Sequence, residues 1–153
     1  MTAHHAVGLR LAKLAAERSD AAVLRDLGEL MAAEHEAEIA RMQQWWRSWF
    51  DSEIPGITDR EHHEIVGMPT PELLESLKAL EGERFAQLFL PVMLRHHEGA
   101  LVMCNLLLKQ GHDPRTLLLA LSISHAQSNQ MERMRQLLRA RSDDGSATVP
   151  YTW

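Results

Sequence analysis

One internal correspondence constrains this chain more than any other feature. Displaced by 92 residues, its first half falls on its second with no gap from the His4-His5 pair to Met42. His4-His5 meets His96-His97, Leu14 meets Leu106, Leu27 meets Leu119, Arg41 meets Arg133, Met42 meets Met134 and Arg47 meets Arg139. His35 falls on Gln127 and Glu38 on Gln130. A repeat this long, carried on helical spacing, predicts two related helix hairpins. Neither can bury its apolar stripe alone, so the expected fold is all-α: a ferritin-like four-helix bundle of two pseudo-symmetric hairpins plus a short crossover helix.

Periodicity places helices at about 3–17, 21–49, 70–81, 84–110 and 113–141. Val23, Leu27, Leu30, Met31, Ile39, Met42 and Trp46 follow helical spacing in the second, with Ser19 or Asp20 placed to cap its start. Thr70-Pro71 and Asp113-Pro114 each read as an N-cap followed by proline at the first helical position, and Gly111 suits the end of the helix before it. No segment alternates as a strand would. Residues 1–141 therefore form one domain, with half-repeats at about 4–49 and 85–141, a crossover over 50–84 and a polar tail over 142–153. The tail ends in Tyr151 and Trp153, which suit docking on the bundle or on a neighbouring copy in a homo-oligomer.

Composition excludes several function classes. With 45% hydrophobic and 24% charged residues the 153-residue chain is ordinary globular material. A net charge of −5 with scattered Arg and Lys argues against nucleic acid as partner. No apolar run approaches the roughly 20 residues of a transmembrane helix, and the start does not read as a signal peptide. A helical lead-in, Phe85–Met93, precedes His96 but only three residues precede His4. The expectation is a truncated first helix, compatible with an export signal removed upstream. One cysteine, Cys104, rules out an internal disulfide and reads as a buried thiol.

Nine histidines and eight methionines, against one tyrosine and three phenylalanines, turn attention to metal ligation. On the fourth helix Met93, His96, His97, Ala100, Met103, Cys104 and Leu107 share one broad face, and on the fifth Ile123, Gln127, Gln130 and Met134 do so. The second helix mirrors this with Met31, His35, Glu38, Met42 and Trp45. Each hairpin thus sets a His pair opposite two polar residues inside a core stripe. Two readings follow. Buried His beside Glu or Gln can be a hydrogen-bonded network that fixes helix register. Alternatively, imidazoles and thioethers facing each other in a bundle core suit Cu(I), Cu(II) or another late transition metal. Met93, His96 and His97 stand within reach of one another on one helix, Met131 and Met134 one turn apart on the next, and the first half offers His4, His5, His35, Glu38 and Met42. A di-iron centre is disfavoured because Gln127 and Gln130 stand where carboxylates are required. No zinc-hydrolase motif follows His97-Glu98, and there is no phosphate loop or Cys-x-x-Cys. Glu61-His62-His63-Glu64 is a surface candidate, and Met68 is the crossover residue of most interest. An enzyme using a His with Glu38 as acid or base is a third reading, with no catalytic constellation behind it.

FLPVMLRHHEGALVM (Phe89–Met103), GHDP (Gly111–Pro114) and QSNQMERM (Gln127–Met134) resemble the domain of unknown function 305 family. HEAEIARMQQWW (His35–Trp46) resembles the same second element in the first half, and VGMPT (Val66–Thr70) the family's crossover. The family pattern is a Met with His-His-x-Gly-Ala on one helix and Gln-x-x-Glu-Ile-x-x-Met on the next, in a ferritin-like bundle with duplicated halves. The resemblance implies a bacterial, often exported protein, with copper binding associated with some members. Carried over, it implicates His96, His97, Met93, Met103 and Met134, with His4, His5, Glu38 and Met42 in the first half. Here His35 replaces the family's Gln and Gln130 its Glu, while Leu11 stands where the second half has Met103. The site implied is asymmetric between halves. The sequence thus points to a non-enzymatic, metal-binding bundle, copper first, in an extracytoplasmic setting.

Overall fold

In a computed structural model the chain folds into five helices: α1 (Thr2–Arg18), α2 (Ala22–Phe50), α3 (Pro71–Lys78), α4 (Gly82–Gln110) and α5 (Pro114–Asp143). The structure describes residues 1–58 and 65–143. The Glu61–Glu64 cluster and the tail with Tyr151 and Trp153 lie outside the described residues.

α1 and α2 form one hairpin and α4 and α5 the other, as the repeat requires. Both hairpins are built from the expected periodicity. α1 buries His4, His5, Val7, Gly8, Leu11, Ala12 and Ala15 on one face, and α2 buries Leu24, Leu27, Gly28, Met31 and His35 on the face opposing it. Ala12, Ala15 and Gly28 are small, which lets the two backbones approach closely. The crossover from α2 to α4 returns along the bundle, so α2 and α4 run in the same direction, the arrangement of a four-helix bundle with one long crossover. Its short helix α3 is capped as predicted: the Leu73 amide donates to Thr70 Oγ1 and Pro71 occupies the first turn. α3 inserts Leu77, fully buried, into the core.

The α4–α5 turn also follows the predicted caps. Asp113 Oδ1 accepts from the amides of Arg115 and Thr116 at 2.9 and 3.1 Å. One cap differs from expectation. α2 begins after Ala21, whose amide donates to Ser19 Oγ at 3.2 Å, so the serine organises the turn rather than the helix terminus.

The two ends of the bundle are unlike. At one, Phe85 and Phe89 stack at 5.2 Å within a core that includes Leu11, Leu24, Met31, Met93 and Met134. Burial of each such side chain contributes about 1.5–3 kcal/mol, and Arg18–Glu81 and Arg141–Glu83 ion pairs sit at this end on the surface. At the other end, a smaller cluster around Cys104, Leu119, Ala120 and Ile123 borders a cavity of about 320 Å³. Among the described residues, no helix is long and apolar enough to cross a membrane.

Candidate metal centre

Between these two ends lies a layer of histidine. His4 and His5 come from the first turns of α1, His35 from α2, and His96 and His97 from the middle of α4; none of the five is more than 1% exposed. The His pairs of the two halves interleave. His4 stacks on His96 with ring centroids 3.7 Å apart and planes 11° from parallel. His35 lies 4.8 Å from His5 and 6.1 Å from His97. The stacked pair joins equivalent positions of the repeat, so it lies on the pseudo-twofold axis.

Three of the rings are oriented by an acceptor on one edge. His5 Nε2 donates to Glu38 Oε2 at 2.9 Å. His97 Nε2 donates to Gln130 Oε1 at 2.6 Å, and the Gln130 amide in turn donates to the Glu34 carboxylate. His96 Nδ1 donates to the Gly67 carbonyl at 3.1 Å. These acceptors carry no proton of their own, so each fixes the tautomer of its histidine and leaves the other nitrogen a bare lone pair. The strap that brings Gly67 to His96 depends on two glycines. Gly67 adopts φ +82, in the left-handed region, and a Cβ at Gly99 would overlap the Val66 carbonyl oxygen.

The remaining edges are unpaired. His5 Nδ1, His96 Nε2, His97 Nδ1 and both nitrogens of His4 and His35 have no hydrogen-bond partner in the protein. The Met31 backbone lies near enough to His35 to favour its proton, but short of hydrogen-bond geometry. Both amide atoms of buried Gln127 and the Ser124 hydroxyl are unpaired too. An unsatisfied buried polar group costs about 1–3 kcal/mol, so a cluster of this size calls for a functional explanation.

Burial keeps His4, His35, His96 and His97 neutral. Desolvation, reinforced by neighbouring imidazoles, lowers the pKa of His4 to about 3. The same cause lowers His35 to about 4 and His97 to about 3, and holds His96 well below the usual range. Neutral imidazole is the ligating form, so the layer presents lone pairs at pH 7 without releasing protons. Glu34 is shifted upward by its own burial and by Glu38 one turn away. Among the described residues, no three His, Cys, Asp or Glu side chains converge as a metal-holding group.

The methionines line the clusters on either side of the layer. Met42 and Met103 line the cavity at the open end with Met1, Trp45, Trp49 and Cys104, where Thr2 Oγ1 donates to Met42 Sδ at 3.7 Å. Met93 and Met134 are fully buried in the apolar core toward the other end. Met68 packs on the same core. Helical spacing places these residues on the same faces as the histidines and their partners, one to two turns along each helix. Glu34, Gly67 and Gly99 were missed. Glu34 left a trace in the sequence, one turn before Glu38 on the face turned to α5, and the two glycines lie within the quoted motifs HHEGA and VGMPT.

The profile of the family described as "Domain of unknown function (DUF305)" matches residues 1–138. The chain belongs to the DUF305 family. Among solved structures, it is similar to a DUF305 protein from Streptomyces coelicolor, named as a candidate secreted protein, at 21% identity and TM-score 0.84, covering 99% of this chain and 92% of that one. A DUF305 fragment from Deinococcus radiodurans is similar at 28% identity and TM-score 0.81, covering 92% and 91%. CopM in its Cu(I)-bound form is similar at 24% identity and TM-score 0.79, covering 92% and 91%; CopM has also been solved Cu(II)-bound and Ag-bound. At 21–24% identity the likeness to the Streptomyces protein and to CopM establishes the fold. No curated protein matches the chain.

Proposed function

We propose that this DUF305 chain binds and carries copper through its histidine layer, as a binding protein rather than an enzyme, in an extracytoplasmic setting. The observation that carries the reading is the set of buried, neutral imidazoles whose inner nitrogens have no partner in the protein. Each oriented ring follows the pattern of a metal-ligating histidine, with the far nitrogen donating to a carboxylate, an amide oxygen or a backbone carbonyl. Glu38 and the Glu34–Gln130 pair place negative charge behind the layer, which favours a cation within it. The metal-bound forms of CopM support copper as the cargo, and the Streptomyces relative's name supports export.

The test is titration of tag-free protein with Cu(I), Ag(I) and Cu(II), beside the double variant His96→Ala/His97→Ala. Binding tighter than micromolar, abolished in the double variant, is expected. Absence of such binding, or equal binding by the variant, refutes the proposal.

A further inference from the structure

Trp45 on α2 and Leu119 on α5 line two hollows at once. One is the cavity of about 320 Å³ at the open end, which Met42, Met103, Cys104 and Ile123 also line. The other is a groove of about 310 Å³ on the outside of α2 and α5, lined in addition by Arg41, Arg115, Leu118 and Ser122. The cavity is apolar. Among the described residues its one ionisable side chain is Cys104, and burial raises the pKa of that thiol, which keeps it uncharged. The groove is cationic. Arg115 is already engaged: Nη2 lies 2.9 Å from Asp113 Oδ2, and the guanidinium stands 5.0 Å from the Trp49 ring centroid and 5.9 Å from that of Trp45. Arg41 is exposed and, among the described residues, has no ion-pair partner.

We propose that cavity and groove together form a site for a single-chain amphiphilic anion, a free carboxylate of about eight to ten carbons. Its head sits at Arg41 in the groove, and its tail passes the Trp45 ring into the cavity. The size follows from the volume. An apolar cavity of about 150 Å³ takes benzene, and this one is about twice as large. The chemistry follows from the walls: ligand pockets of this kind pair apolar and aromatic sides with a few polar groups that fix orientation.

Charge sets the direction of the ligand. Glu38 stands one turn before Met42, and its carboxylate adds to the burial that raises the Cys104 thiol. Negative potential therefore reaches the Cys104 side of the cavity and disfavours a second carboxylate there, while Arg41 offers the free cation on the groove side. The site is distinct from the proposed copper centre, because no histidine of the layer lines either hollow.

The experiment uses the full, metal-free chain at pH 7. It is titrated with hexanoate, octanoate and decanoate below their micelle concentrations, beside 1-octanol and phosphatidylglycerol vesicles, and followed by calorimetry and tryptophan fluorescence. Affinity is expected to rise about fourfold for each methylene added. Arg41→Gln, an exposed change, should weaken octanoate by about threefold to fivefold and leave 1-octanol unaffected. In the wild-type protein, intermolecular nuclear Overhauser effects from the octanoate tail should reach the methyl groups of Met42, Met103 and Ile123, which locates the ligand without any substitution. Absence of binding at millimolar carboxylate, affinity independent of chain length, equal octanoate binding by Arg41→Gln, or contacts to other methyl groups overturns the proposal. Binding to the vesicles without binding to the free carboxylates overturns it as well, and makes this end a lipid-surface contact. None of these outcomes bears on the copper reading, which titration with the metal ions tests separately.

Discussion

Acidification should unfold this protein well before its carboxylates titrate, because four of its imidazoles refuse protons in the folded state. His4, His35, His96 and His97 ordinarily titrate near 6.5, and burial holds them at about 3, about 4, well below the usual range, and about 3 respectively. Between pH 6.5 and those values the unfolded chain binds more protons than the native one. Stability therefore rises with pH across the window and is lost as pH falls through it. At pH 5, 1.5 units below the unfolded value, each ring costs about 2 kcal/mol. His4, His35 and His97 acting independently give an upper bound of about 6 kcal/mol, with His96 adding in the same direction, as large as the whole stability of many domains. The charged groups around the layer are few: Glu38 accepts from His5, and Glu34 reaches His97 through Gln130. Glu34, shifted upward by burial, binds its proton more readily when folded and so offsets part of the loss at the low end. Urea unfolding at pH 7, 6 and 5, followed by far-UV circular dichroism, should show the midpoint falling steeply, with a slope approaching four protons. A midpoint unchanged between pH 7 and 5, or native imidazole resonances for these four rings titrating near 6.5, would refute the reasoning.

Other consequences are narrower. Gly99→Ala should displace the Val66–Gly67 strap, at a cost of about 1–3 kcal/mol, and the 15N shifts of His96 should lose the signature of a fixed Nδ1–H tautomer; an unchanged spectrum would contradict the strap's role. Asp113→Ala removes the α5 cap and should cost about 1 kcal/mol by thermal melting, with copper binding untouched. If imidazole nitrogens alone hold the ion, Met42→Leu/Met103→Leu should leave copper stoichiometry unchanged; loss of an equivalent would bring the thioethers of the adjoining cavity into the site. Saturating Cu(I) at about a hundred times its dissociation constant should stabilise the fold by about 2.7 kcal/mol, reversed by a chelator.

What could be read from the chain alone was whatever is local or periodic. The helix spacing, the Thr70 and Asp113 caps and the duplicated His pairs all announce themselves within a turn or two of sequence. The assembly of the site did not. Which level of one hairpin meets which level of the other is set by long-range packing, so the merging of His4 with His96 and of His35 with His97 had no sequence signal. Met42, Met103, Met93 and Met134 share its helical faces and line the clusters on either side of it. The Gly67 carbonyl was invisible for a different reason: a backbone acceptor has no residue type.

The duplication gives the layer its geometry, and its divergence gives the layer its use. A twofold axis through the His4–His96 stack would by itself generate two equal sites, each competing for the same central rings. Here the first half has a glycine and an imidazole at Gly8 and His35, while the second has Ala100 and Gln127 in their places. The backing charges have diverged as well: Glu38 contacts His5 directly, whereas His97 meets a neutral amide and reaches Glu34 only beyond it. Glu34 and Glu38 both come from α2, so the negative charge behind the layer lies wholly on the first half. A cation held in the layer would therefore lie beside the acidic hairpin, among rings drawn from both repeats. Occupancy would then couple the two hairpins through a bond that neither half could make alone.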